Sequence, residues 1–222
     1  MTVATAVVTD PVEVEHELSR LCGLGVDDLK QALLGGVLGR ATCTENDPIY
    51  FPGSTMHAVT TRALREQLLP RGWTKIDTGG YSRTVSPDGS IALVVATGDG
   101  RTGLHDPMLS HLQPKTTRAK GPLTRAVVEA NERQLELGGM VPIRALTSVA
   151  QTWIFLVHYA GGEAGAMAEL SLPSALDAEG CIAVWRKRIV VGSTDNIDPN
   201  TGMRGVPERG PDFDVEIIPR VA

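Results

Sequence analysis

The sequence predicts an α+β fold in which an antiparallel sheet of two meanders is flanked by helices. Residues 90–98 and 152–160 are apolar without alternation, which is typical of strands covered on both faces. Each belongs to a group of short strands separated by turn sequences. In Ser86-Pro87-Asp88-Gly89, proline fixes φ and aspartate bonds its own backbone, so this segment predicts a tight reversal.

Residues 1–53 predict an N-terminal helical extension. Asp10 and Glu13 are spaced as in a capping box and predict the start of a first helix. A second, short helix is expected to end at Gly35 and Gly36. Because this helix pair is amphipathic and acidic on its outer side, it predicts a packing or dimerisation element.

Residues 54–191 predict the α+β core, and residues 192–222 predict an extended C-terminal tail. Residues 49–51 predict a short edge strand, after which Ser54 is expected to cap a helix. The remaining elements are predicted from periodicity and turn residues. They are strands at 73–76, 81–85 and 90–98, a helix at 122–137, and strands at 152–160, 167–172 and 181–191.

Composition excludes several function classes. The chain has 222 residues, a net charge of −5 and 4% aromatic residues, which disfavours proteins that stack bases on rings. Any nucleic-acid contact therefore needs a local basic patch. The three cysteines are far apart and lack zinc spacing, and no segment is apolar for long enough to cross a bilayer. These observations predict a cytoplasmic protein with no membrane role.

A basic loop supplies the main candidate binding site. Residues 99–121 show no periodicity, and an irregular segment of this length is usually functional or disordered. Lys115, Arg118 and Lys120 precede a predicted helix start, and Arg125 lies in its first turn. Cations beside a helix N-terminus favour an anion, so the loop predicts a site for a phosphate of nucleic acid or nucleotide, or for an acidic partner protein. The alternative is a solvated charged loop.

The same loop contains four residues of types that bind hard metals or zinc. They are Asp99, His105, Asp106 and His111. Their spacing corresponds to no metal motif, so a chance grouping is the simpler interpretation.

The order helix, three strands, helix, strand resembles the core of the PD-(D/E)xK nuclease superfamily. That resemblance implies Mg²⁺ held by two strand carboxylates, with a lysine that orients the attacking water. Asp88 and Asp99 would be the carboxylates here, and Glu66 a third ligand. The chain departs from the pattern because Asp88 fits a turn, Asp99 follows its strand, and Arg101 replaces the lysine.

Several segments also resemble uncharacterised proteins of actinobacteria and their plasmids and phages. The resemblance covers roughly residues 73–191 and implies a mobile-element context without an activity. It rests on residues 85–99, Arg101-Thr102-Gly103, Pro114-Lys115-Thr116, Lys120-Gly121-Pro122, Asn131 and residues 169–173.

The leading hypothesis is a non-enzymatic binding protein of a phage or mobile element, without a cofactor, that engages a phosphate-bearing ligand or an acidic partner protein through the basic loop. One alternative is a Mg²⁺-dependent nuclease. The other is a protein interaction module that dimerises through the N-terminal helices.

Overall fold

The computed structural model describes residues 5–109, 111–136, 150–161 and 165–194. Within them the chain is a mixed α/β structure with four α-helices and one seven-stranded sheet. In chain order the elements are β1 (Ala6–Val8), α1 (Pro11–Cys22), α2 (Val26–Ala41), α3 (Phe51–Leu68), β2 (Thr74–Thr78), β3 (Tyr81–Val85), β4 (Ile91–Thr97), α4 (Pro122–Glu136), β5 (Gln151–Tyr159), β6 (Ala166–Leu176) and β7 (Ile182–Ser193).

The sheet is mixed, so the expectation of a purely antiparallel sheet is wrong. The strand order is β1-β7-β6-β5-β4-β3-β2. Both predicted meanders are present, as β2-β3-β4 and β5-β6-β7, but β4 and β5 join them through a parallel pairing of seven residues. The segment between β4 and β5 contains α4, and such a crossover returns the chain so that the next strand runs in the same direction. β1 adds a second parallel pairing, to β7.

β4 is covered on both faces, as its unbroken apolar sequence predicts. Leu93 and Val95 belong to a large core shared with α1, α2 and α3. Val94 and Ala96 point to the other face, where they join a smaller core with Val128 of α4. Neighbouring side chains of a strand alternate between faces, so the helices on each side of the sheet pack against every second residue of β4.

The N-terminal helices, predicted as an extension, contribute to the same core as the sheet. Leu18 of α1 and Leu29 and Leu33 of α2 are fully buried in the cluster that contains Phe155 of β5. Their apolar faces are therefore occupied within the chain. Asp10 caps α1 as predicted, because its Oδ1 accepts hydrogen bonds from the backbone of residues 12 and 13 at 3.0 Å.

The prediction that Gly35 and Gly36 end the second helix is wrong. α2 continues through both and ends at Ala41. A Cβ on Gly36 would collide with Thr60 Oγ1, and a Cβ on Gly39 would lie 2.8 Å from Val59 Cγ2. The glycines therefore serve close packing of α2 against α3, which offsets their low helix propensity.

The start of α3 also differs from expectation. Residues 49–51 form no strand, and the helix begins at Phe51 with Pro52 in its first turn, where no backbone donor is needed. Ser54 does not cap the helix, because its Oγ donates to Tyr50 O at 3.1 Å.

Most of the predicted C-terminal tail, from residue 195 onward, lies outside the described residues. Within the described residues, the helices are too short or too polar to cross a membrane.

Candidate functional site

The pairing of β3 with β4 stops halfway along the two strands. Thr84 pairs with Leu93, and Val85 pairs with Ala92. All residues of both strands are described, and these two pairs are the whole of their pairing. Beyond them, the first half of β3 and the second half of β4 diverge. The other edge of β4 is paired with β5 along all seven residues. The divergence creates a gap inside the sheet, between β3 and β4.

Two side chains of α3 hold the two sides of this gap. His57 and Arg65 lie eight residues apart and therefore on one face of the helix. His57 Nε2 is 3.1 Å from Val95 O of β4. Because a carbonyl only accepts, Nε2 carries the proton. Arg65 binds the β2–β3 hairpin, with Nη2 2.6 Å from Asp77 Oδ1 and 3.3 Å from Arg83 O.

The segment Lys115–Lys120, here called the cationic loop, closes one end of the gap. Thr117 N donates to Thr97 O at the end of β4 at 3.0 Å. On its other side, Thr116 N donates to Ile182 O at 3.0 Å and Lys120 N donates to Gly180 O at 2.8 Å. Backbone bonds to two separate strand ends fix the path of this loop and thereby the positions of its side chains.

Two adjoining spaces lie in the gap. The larger, here called the outer cleft, has a volume of about 360 Å³. The smaller, here called the inner cavity, has a volume of about 120 Å³. His57, Val95, Ala96 and Lys120 line both. The polar residues of the outer cleft are two cations, a histidine and three hydroxyl residues: Arg118, Lys120, His57, Ser54, Thr97 and Thr117.

The outer cleft is electropositive although the chain is acidic. None of the described residues that line it is Asp or Glu. Among the described residues, no carboxylate lies within ion-pair distance of Arg118 or Lys120. Burial lowers the pKa of Lys120, and the nearby Arg118 lowers it further while Cys181 opposes the shift. An ammonium that is half buried without a counterion is stabilised by any anion that enters.

His57 titrates in the same surroundings. Burial lowers its pKa, the hydrogen bond to Val95 O raises it, and the charge of Lys120 lowers it. An anion in the outer cleft would favour the charged forms of both His57 and Lys120.

The structure divides the four predicted binding cations into two pairs. Arg118 and Lys120 line the outer cleft. Lys115 instead lies 3.3 Å from Asp177 Oδ2, and Arg125 Nε donates to Lys120 O at 3.2 Å. Lys115 therefore already has a counterion, while Arg125 buttresses the backbone that carries Lys120.

Two of the four candidate metal ligands, Asp99 and Asp106, shape local turns. Asp99 Oδ1 accepts from Arg101 N at 3.1 Å, and Asp106 Oδ1 accepts from Met108 N at 2.8 Å, so both shape turns. His105 and His111 are exposed. Within the described ranges, no three His, Cys, Asp or Glu side chains are grouped so that they could hold a metal ion.

The carboxylates required by the nuclease alternative are not brought together. Asp88 lies before β4 and Asp99 after it, and a seven-residue strand separates them by about 23 Å. Hydrogen bonds from Ser86, and then from Ser90, lower the pKa of Asp88 to about 2, as expected for a turn carboxylate. Glu66 is exposed on α3. Asp88 and Asp99 thus do not share an ion.

Sequence reasoning missed two residues of the site. His57 lies on a helix whose apolar periodicity concealed it, and Tyr81 begins a strand that was read only as a sheet element. Burial raises the pKa of Tyr81 to about 12, and its hydroxyl is buried without a hydrogen-bond partner among the described residues. Neither residue belongs to a sequence motif with a recognisable spacing, and only the fold brings the two side chains to the same gap.

No known family model, curated protein or solved structure matches this chain. The two resemblances noted in the sequence therefore stay predictions, and the case for function rests on the gap.

Proposed function

We propose that this protein binds a phosphate-bearing ligand in the outer cleft, with Arg118 and Lys120 as its principal anion contacts. The observation that carries the proposal is the half-buried Lys120 ammonium. Among the described residues, no carboxylate lines the cleft that it borders and none forms an ion pair with it. Burying a charge without compensation is costly, and a phosphate would compensate it.

The shape of the site favours a compact ligand over a nucleic-acid backbone. A cleft of about 360 Å³ falls within the range of small-molecule sites. Binding along a duplex needs several cations spaced over an extended surface, whereas here two converge in one concavity. A mononucleotide or another small phosphate ester therefore fits better than DNA or RNA.

Two features add to the cations. His57, which lines the cleft, adds a charge when it is protonated. Gly53 and Ser54 belong to the first turn of α3, whose positive dipole end thus borders the cleft. Binding should be accompanied by proton uptake at His57, because its pKa is lowered in the free protein and an anion favours its charged form.

The test is calorimetric titration with inorganic phosphate and pyrophosphate. We expect Lys120→Ala to weaken binding by about tenfold or more, as removal of a charge-assisted hydrogen bond does. Lys115→Ala is the matched control, because it deletes the same charge from the same loop at a residue already paired with Asp177. Equal losses in both variants would indicate non-specific attraction, and an unchanged affinity in Lys120→Ala would refute the proposal.

A further inference from the structure

The inner cavity is a second, smaller compartment of the same site. Its walls include Val94 and Ala96 of β4, Ile154 of β5 and Ile182 of β7, all apolar and buried. Lys120 and His57 line both the inner cavity and the outer cleft. A compartment with four buried apolar side chains in its wall thus opens from the cationic cleft.

The inner cavity exists because the sheet is open between β3 and β4. Tyr81 and Ser82 lie in the part of β3 that does not pair with β4, and Thr124 lies in the first turn of α4. Its lining residues therefore come from both layers, with His57 from the α3 side and Thr124 from the α4 side.

One polar group in this compartment is unsatisfied. The Tyr81 hydroxyl is buried and has no hydrogen-bond partner among the described residues, while Tyr81 itself lines the inner cavity. A buried hydroxyl without a partner is destabilising, so an organic group that hydrogen-bonds to it would gain affinity and specificity.

From these observations we infer that the ligand is a phosphate monoester of a small ring. The phosphate binds Arg118 and Lys120 in the outer cleft, and the ring enters the inner cavity, where a polar ring substituent meets the Tyr81 hydroxyl. A volume of about 120 Å³ is of the size that a single six-membered ring occupies. This inference rests on the proposed function, since the phosphate must occupy the outer cleft.

The experiment compares three probes by calorimetry: methyl phosphate, phenyl phosphate and 4-hydroxyphenyl phosphate. We expect the wild-type chain to bind phenyl phosphate about tenfold more tightly than methyl phosphate, because burial of the ring removes apolar surface from water. The 4-hydroxyphenyl ester should bind about threefold more tightly again through Tyr81, and Tyr81→Phe should abolish this second gain alone.

A cavity-filling variant checks that the ring occupies the inner cavity. Ser82 lines it and is half buried, so Ser82→Leu places a larger side chain there without opening the core. We expect this variant to bind phenyl phosphate no better than methyl phosphate.

The outcomes separate the two proposals. Equal binding of methyl and phenyl phosphate by the wild-type chain, or an unchanged preference for the ring in Ser82→Leu, would overturn the ring inference and leave phosphate binding intact. Failure of all three probes to bind would overturn phosphate binding itself, and the ring inference with it.

Discussion

The two edges of β4 show how one strand can both stabilise a fold and open a site. On the β5 edge, residues Ile91 to Thr97 are paired without interruption. On the β3 edge, strand pairing ends after Leu93, and the next backbone carbonyls of β4 bind groups from other elements. Val95 O lies within hydrogen-bond distance of His57, and Thr97 O accepts from Thr117. Alternate residues of β4 face the same edge, so Leu93, Val95 and Thr97 follow one another along it. They bind β3, α3 and the cationic loop respectively.

The gap is therefore a part of the sheet whose backbone acceptors are satisfied, and it is not a defect. Backbone acceptors of a strand that leaves its neighbour need other donors, and a helix and a loop supply them here. Stability should therefore depend mainly on the β5 side, while binding should depend mainly on the β3 side.

The largest expected effect on stability is at Glu169 of β6, on the β5 side. Its carboxylate is fully buried and accepts from Arg188 at 3.0 Å and 2.5 Å and from Gly103 N at 2.9 Å. Glu169→Gln leaves Arg188 buried without a counter-charge, so the free energy of unfolding should fall by about 3–5 kcal/mol in urea denaturation.

The matched control is Asp77→Asn, which breaks the solvent-facing ion pair with Arg65 on the β3 side. A surface pair contributes little, so this variant should lose much less stability than Glu169→Gln. A similar loss in both variants would contradict the proposed division between the two edges.

A similar or smaller loss is expected at Leu156 of β5, which is fully buried against Gly98. Leu156→Ala should lower the free energy of unfolding by about 2–5 kcal/mol, because it removes apolar contacts and leaves a cavity. Ile76→Ala, in the edge strand β2, serves as its counterpart on the other side. Since Ile76 is 37% exposed, that substitution should lower the free energy of unfolding far less in the same urea titration. Equal losses would contradict the idea that stability depends mainly on the β5 side.

The smallest effect is a pH dependence that originates at the gap. Burial lowers the pKa of His57 below 6.5, so the unfolded chain binds the proton more readily than the folded chain. The contribution of neutral His57 to the free energy of unfolding is fully present above pH 6.5. It is lost as the pH decreases from there towards the pKa of His57 in the folded chain. His57→Gln keeps a donor for Val95 O and removes the titration.

Urea denaturation at pH 8 and pH 5.5 measures this effect. The wild-type chain should lose more stability between the two conditions than His57→Gln does. His105→Gln, at an exposed histidine, should behave like the wild type. Identical pH dependence in the wild type and His57→Gln would show that His57 does not titrate as described.

Local sequence signals predicted most elements but not the gap. The Gly79–Gly80 turn joins β2 to β3, and both glycines have positive φ, as a tight hairpin requires. The limits of β4 and α4 also agree with turn and helix-start residues. The parallel joining of β4 and β5, by contrast, depends on a crossover whose direction no local pattern encodes.

The candidate site was predicted in part for the same reason. Lys120 and Arg118 stood out because cations precede a helix start, and the structure places both in one cleft. The roles of Lys115 and Arg125 depended on Asp177 and on the backbone at Lys120, contacts that only the fold creates. His57 and Tyr81 are 24 residues apart in the sequence and reach the gap from two different elements, and no spacing rule connects them.

The glycines of α2 also bear on the cleft, although they lie behind it. Gly36 and Gly39 allow α2 to touch Met56, Val59 and Thr60 of α3, the residues that surround His57 in the sequence. The depth to which His57 reaches towards β4 is therefore set by backbone contact between two helices. A methyl group added at Gly36 would displace α3 and, with it, the imidazole, so a change remote from the ligand would alter the width of its binding site.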